Sequence, residues 1–223
     1  MVLKIMSNSH EPSGHRIFLV RHGETDWNRT RRFQGRSNVP LNEEGKNQAR
    51  ALASVLKDEN FVAIYSSPLS RALETAGFIK EFHPSLAVTK EEGFIEMELG
   101  EFDGMDARLW AEQYPDFRKA WQEKPATTRM PGGENLEEVQ DRALNTLNRI
   151  LLQYPFGTAL LICSHNFVLL SILCHALEIS LDRFREIRKG TASFSIINRQ
   201  ADRFMVEVMN ERAHLEKAGE KLG

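Results

Sequence analysis

Ile17-Phe18-Leu19-Val20-Arg21-His22-Gly23 is the stretch on which the reading of this 223-residue chain turns. Four consecutive apolar residues read as a strand buried on both faces. The run stops at an arginine, a histidine and a glycine that permits a sharp turn. The same pattern recurs downstream: residues 61–65 are rich in β-formers and end at Ser66-Ser67-Pro68, with helical periodicity over 69–82. A third apolar run, 158–163, breaks at Ser164-His165 before an apolar helix over 167–177.

The intervening segments complete an alternation of strand and helix. Asn42 is an N-cap for a helix carrying Ala49, Leu52, Ala53 and Leu56 at helical spacing. The spacing predicts a short strand at 86–89 and helical pieces over 106–122 interrupted by Pro115. It also predicts a long helix within 134–154, with Leu136, Val139, Ala143, Leu147, Ile150 and Leu151 along one side. Residues 192–197 and 204–209 read as a terminal strand pair. Such alternation implies right-handed crossovers. The expected fold class is therefore α/β: a three-layer α/β/α sandwich with a mainly parallel central sheet, helices on both faces and a small helical excursion over the active site. One domain is expected over 15–210, between a disordered leader at 1–14 and a charged tail at 211–223.

Composition narrows the function. Apolar residues make up 41% and charged residues 27%, with a net charge of -2, ample for a core. No basic run offers a footprint for nucleic acid or an anionic membrane. Cys163 and Cys174 lie in apolar segments at a spacing that fits neither a zinc site nor a redox pair, so buried thiols are expected. Residues 1–14 have too few apolar residues for a secretory signal, and no stretch approaches the ~20 apolar residues of a membrane span. The expected compartment is the cytoplasm, with no metal and no cofactor.

In parallel sheets ligands bind beyond the carboxyl ends of the strands, where Arg21-His22, the 66–71 loop and His165 would converge. An Arg-His pair there offers a bidentate phosphate ligand beside an imidazole nucleophile. The tripeptide alone equally suits a histidine capping a strand end. Arg71 alone could pair with Glu74 on a helix, and Glu96 competes with Glu98 and Glu101 as a surface carboxylate. His83 reads as a loop residue and His175 as a core histidine. Trp110, Phe117 and Trp121 read as packing of the excursion rather than site residues.

Longer motifs shift that balance. Asn28 follows His22 by six positions; then come Arg32-Phe33-Gln34-Gly35-Arg36 and Leu41-Asn42-Glu43-Glu44-Gly45-Lys46-Asn47-Gln48-Ala49. With Ser66-Ser67-Pro68-Leu69-Ser70-Arg71, Glu96-Met97-Glu98-Leu99-Gly100 and Ser164-His165, the chain resembles the histidine phosphatase superfamily, phosphoglycerate mutase-like branch, over about 17–209. The resemblance implies that His22 is the phosphorylated histidine, Arg21 and Arg71 the phosphate clamp, His165 the second phosphate-contacting histidine and Glu96 the proton donor. It further implies that Asn28, Gln34, Gly35 and Asn166 contact phosphate or substrate. Asn166-Phe167 departs from the family, where glycine commonly follows the second histidine.

The short interval from Glu96 to His165 and the sequence Pro131-Gly132-Gly133-Glu134 resemble the monoester phosphatases of this branch, including α-ribazole phosphatase and broad-specificity enzymes. The expected activity is metal-independent hydrolysis of a small phosphorylated metabolite. A cofactor-dependent phosphoglycerate mutase and a catalytically silent phosphate-binding module are the alternatives. A homodimer is one option for assembly. Specificity should lie in 106–130 and 29–38, where Arg32 and Arg36 either bind a second anion or are solvated.

Overall fold

The computed structural model describes residues 14–187, 189–201 and 203–216. Among these, six strands form one sheet: β1 (His15–Arg21), β2 (Phe61–Ser66), β3 (Val88–Lys90), β4 (Ala159–Ser164), β5 (Phe194–Gln200) and β6 (Arg203–Glu211). Their order is β3-β2-β4-β1-β5-β6. The first four run parallel to one another, β5 pairs antiparallel with β1, and β6 antiparallel with β5. The helices are α1 (Asp26–Arg29), α2 (Glu43–Leu56), α3 (Ser70–Lys80), α4 (Ala107–Gln113), α5 (Pro115–Glu123), α6 (Leu136–Leu151), α7 (Asn166–Ala176) and α8 (Ala213–Glu216).

The apolar run of β1 explains the layering. Ile17, Phe18, Leu19 and Val20 are all wholly buried, and successive strand side chains leave on opposite faces. Ile17 and Leu19 join a core with Leu136, Val139 and Leu147 of α6 and Val168 and Leu169 of α7. Phe18 and Val20 join a second core with Leu52 and Leu56 of α2 and Ala72, Ala76 and Ile79 of α3. The expected sandwich is thus the observed one, and the excursion is α4 and α5, which contribute Trp110 and Trp121 to the first core.

Register sets the site. Arg21 of β1 lies opposite Ser164 of β4, and Ser66 of β2 lies opposite Cys163. Three neighbouring strands therefore end at one level, so that His22, Ser67 and His165 leave the sheet side by side.

Several local details differ from expectation. Residues 26–29 form α1, held by a capping box between Thr25 and Asn28, a turn too short to carry apolar periodicity. β3 starts at Val88, not at residue 86. His175 is exposed, its ring edge-on to Phe204; apolar α7 packs its other faces, so a histidine within it need not be core. Residues 213–216, expected in the charged tail, form α8, whose Leu215 is buried. Residues 1–13 of the expected leader and 217–223 of the tail lie outside the described residues. Cys163 and Cys174 are buried free thiols, and no helix of the described residues is long and apolar enough to cross a membrane.

Candidate active site

His22 follows β1 directly and is 3% exposed. Its backbone N–H donates to the Ser164 carbonyl at 3.1 Å, tying it to the end of β4. Its Nδ1 lies 2.7 Å from the Gly23 carbonyl. A carbonyl only accepts, so Nδ1 carries the proton and the neutral ring keeps its lone pair on Nε2. Burial, then Arg71 and Arg21, hold His22 well below the ordinary imidazole range, which favours that neutral form.

Tight backbone packing fixes the loop. The Gly23 N–H donates to Thr75 Oγ1 at 3.1 Å, and Thr75 donates to the Arg71 carbonyl at 2.8 Å. A Cβ on Gly23 would overlap the Gly45 carbonyl, and one on Gly45 would overlap Glu24. Asn42 caps α2 by accepting from the Gly45 N–H at 2.7 Å and also donates to Glu24 at 2.8 Å. The motif over 41–49 thus seats α2 against the His22 loop.

Both arginines are buried and held by backbone carbonyls. Arg71, 1% exposed, donates to Ser37 at 2.7 Å and Gly35 at 2.8 Å; no ion pair to Glu74 forms among the described residues. Arg21 donates to the Lys189 carbonyl. Desolvation lowers both guanidiniums to about 10, so they remain charged at neutral pH. Their Nε atoms are buried without a partner among the described residues, as is His165 Nδ1. Buried N–H donors with no acceptor in the protein are expected where an anion is the intended partner.

His165 caps α7 from the end of β4, and its Nε2 lies 2.6 Å from Ser67 Oγ. Its ring centroid is 5.1 Å from that of His22. Burial and the same arginines keep it, too, well below the usual imidazole range. Asn166 begins α7 and is not among the residues with positive φ, so the glycine common in the family is not required here by backbone conformation.

Glu96 is the buried member of its acidic cluster. Its Oε1 accepts from Met97 N–H at 2.9 Å and Phe167 N–H at 3.2 Å. Burial raises its carboxyl above the usual range, against the opposing pull of Arg71 and Arg21. Glu98 instead pairs with Arg36 at 3.0 Å, and Arg36 also meets Glu134 at 3.2 Å. Arg32 donates to the Gly104 carbonyl at 2.8 Å. Arg36 is thus engaged by carboxylates, while Arg32 is exposed and tied to a backbone carbonyl.

The remaining expected contacts support the loop. Asn28 accepts from the Thr25 backbone N–H at 3.1 Å and Gln34 from Thr25 Oγ1 at 2.9 Å, leaving their amide N–H groups as donors. Gly35, at φ +41°, is placed where a Cβ would strike Asp103, and its carbonyl holds Arg71. Ser37, Ser67, Thr75 and Lys189, which sequence reasoning did not single out, complete the framework. Only Ser67 had a signal, in the Ser66-Ser67-Pro68 turn after β2.

Comparison with known proteins identifies the family. The family model described as histidine phosphatase superfamily (branch 1) matches residues 17–212. Phosphoserine phosphatase 1 of Hydrogenobacter thermophilus is 34% identical over 200 residues, 90% of this chain and 94% of that protein. The probable phosphoglycerate mutase GpmB of Serratia proteamaculans is 30% identical over 205 residues, 90% of this chain and 94% of that protein. The structure of a mycobacterial glucosyl-3-phosphoglycerate phosphatase in complex with VO3 superposes with a TM-score of 0.80 at 27% identity, covering 87% of this chain and 98% of that one. A match along nearly the whole described chain, on a sheet that gathers His22, Arg21, Arg71 and His165 at one edge, places this protein in the histidine phosphatase superfamily, branch 1.

Proposed function

We propose that this protein is a metal-independent phosphomonoesterase that works through a phosphohistidine on His22. The observation that carries the reading is the set of buried, unpartnered nitrogens of Arg21, Arg71 and His165 around a neutral imidazole. Phosphoryl transfer needs charge stabilisation on the equatorial oxygens, an in-line nucleophile and protonation of the leaving oxygen. Two guanidiniums and His165 meet the first need, Nε2 of His22 the second and Glu96 the third.

In the first half-reaction the Nε2 lone pair forms a bond to phosphorus as the ester P–O bond breaks. Glu96 gives its proton to the departing oxygen, releasing the alcohol. Because Oε1 accepts the shorter backbone hydrogen bonds, Oε2 is the oxygen suited to hold that proton. In the second half the Glu96 carboxylate takes a proton from water as the water oxygen attacks phosphorus. The P–N bond breaks, its electron pair returns to Nε2, and phosphate leaves. Asn28, Gln34 and Asn166 supply further polar contacts to the bound phosphoester, and Gly35 acts through Arg71.

The substrate class is a small phosphorylated metabolite, in line with the substrates named for the relatives above. The buried free thiols suit the reducing cytoplasm. A mutase would return the phosphoryl group to its substrate instead of water; the likeness to GpmB favours it, and the short interval from Glu96 to His165 favours hydrolysis. His22→Ala, assayed with chelator present, should lose at least about 1,000-fold of its turnover of a chromogenic phosphomonoester. Undiminished turnover would refute the reading, and isomer interconversion outrunning phosphate release from a phosphoglycerate would favour the mutase.

A further inference from the structure

A cavity of about 240 Å³ lies under the excursion, lined by Phe33, Phe102, Trp110, Trp121 and Phe167 together with Arg118 and Arg185. Three of its walls belong to the catalytic framework. Phe167 gives its backbone N–H to the Glu96 carboxyl. Leu99, also in the lining, belongs to the segment that carries Glu96, and Phe33 immediately precedes the loop through which Gly35 holds Arg71. None of Arg21, His22, Arg71, Glu96 and His165 lines the cavity itself, but it adjoins the segments that carry and hold Glu96, the proposed proton donor.

Its chemistry is that of an aromatic slot with cations at its rim. Phe102 and Trp110 meet edge to face at 5.9 Å, as do Trp121 and Phe167 at 6.0 Å. The aromatic lining of the cavity suits an apolar, preferably flat, body. Arg185 is anchored by a hydrogen bond to the Trp121 carbonyl at 2.9 Å and lies over the Phe184 ring at 4.6 Å from its centroid. Arg118 projects from α5 and is exposed. Among the described residues neither Arg118 nor Arg185 forms an ion pair, so both guanidiniums are open to an anionic group on a ligand.

We infer that the preferred substrate is a phosphomonoester whose leaving group has an aromatic or similarly apolar body, seated in this cavity, and an anionic terminus met by Arg118 and Arg185. The inference rests on the phosphatase reading and sharpens it. A leaving group as small and polar as serine would fill none of the cavity and would leave both guanidiniums unmatched.

The test compares ethyl phosphate, O-phosphoserine, 3-phenylpropyl phosphate and its para-carboxylate and para-phosphonate derivatives by phosphate release. The phenyl body should raise kcat/KM over ethyl phosphate by about 10- to 100-fold. A para anion should add about fivefold, and its advantage over the unsubstituted phenyl substrate should fall to about one in the R118A/R185A double variant. The carboxylate and phosphonate arms separate a carboxylate-bearing from a doubly phosphorylated natural substrate. Binding is measured in parallel, by quenching of tryptophan fluorescence with the non-hydrolysable 4-(4-carboxyphenyl)butylphosphonate; it should be at least tenfold tighter than ethylphosphonate. Equal kcat/KM for ethyl phosphate, phosphoserine and the phenyl esters, with equal binding of the two phosphonates, would overturn the inference and leave the phosphatase reading intact. Selective binding without hydrolysis of any ester would support the cavity assignment and defeat the phosphatase reading.

Discussion

The rings of His22 and His165 stand 5.1 Å apart and tilted by 57°, delivered from the ends of two paired strands. Two imidazoles that close, flanked by two guanidiniums, cannot both be protonated at reasonable cost. Both are accordingly held neutral by burial and by the arginines. The neighbourhood proposed to bind a phosphoryl dianion is thus also the one that keeps the His22 imidazole unprotonated.

In the proposed mechanism Glu96 has the opposite requirement, since its proton must be present for the first half-reaction. Burial raises its carboxyl, so the competent form persists above the usual glutamate range and is lost as pH rises through the raised value. For a poor, alkyl leaving group, Glu96→Gln should lower kcat by about 100- to 10,000-fold and remove the alkaline fall of the pH profile. For a nitrophenyl ester, which departs without a proton, the loss in the first half-reaction should be much smaller. Equal losses for both leaving groups would point to a different donor.

Two glycines make a paired test of packing. Gly45→Ala places a Cβ on the Glu24 carbonyl, beside the His22 loop, whereas Gly77→Ala in α3 meets nothing within 4 Å. The first should destabilise by about 1–3 kcal/mol and lower activity. The second should stabilise by about 0.5–1 kcal/mol by removing a glycine from a helix interior. Thermal unfolding of both variants checks the contrast; a neutral Gly45→Ala would show that the loop is not clamped by this contact.

Anion binding should be visible as stability. Burial, then Arg21, lowers Lys189 to about 7, and among the described residues its Nζ reaches Ser195 Oγ at 3.0 Å and the Leu19 carbonyl at 3.5 Å. For such a group the unfolded chain binds the proton more tightly. Its destabilising effect is therefore full below pH 7 and is relieved as pH rises toward the ordinary lysine value. The free protein should gain stability between pH 7 and 9. Phosphate at 100 times its Kd should add about 2.7 kcal/mol, raising Tm by about 2–4 °C per kcal/mol. A Tm that ignores phosphate at pH 7 would contradict a site built for a phosphoryl group.

Much of this arrangement was legible in the residues themselves. The strand over residues 17–20 declares itself because both its faces are buried, so every position is apolar, and the same holds for β4. The motif order then placed Arg21, His22, Arg71 and His165 at one sheet edge. Glu96 is separable from Glu98 and Glu101 only by its register with Gly100; its carboxyl is held by the start of α7 through the Phe167 N–H, which no local pattern encodes. Ser37 and Lys189 act through backbone carbonyls, a role open to any residue type, so their sequence carries no mark of it. Trp110 and Trp121 read in sequence as packing residues, and they do pack, but the cavity they also line arises from how α4 and α5 close over α7.

The most direct test of the central claim, a covalent transfer through His22, is the stereochemical course at phosphorus, measured with a substrate made chiral by oxygen isotopes. Two in-line displacements, onto Nε2 and then onto water, predict net retention of configuration. Net inversion would mean that water attacks the ester in a single step and that His22 never carries the phosphoryl group.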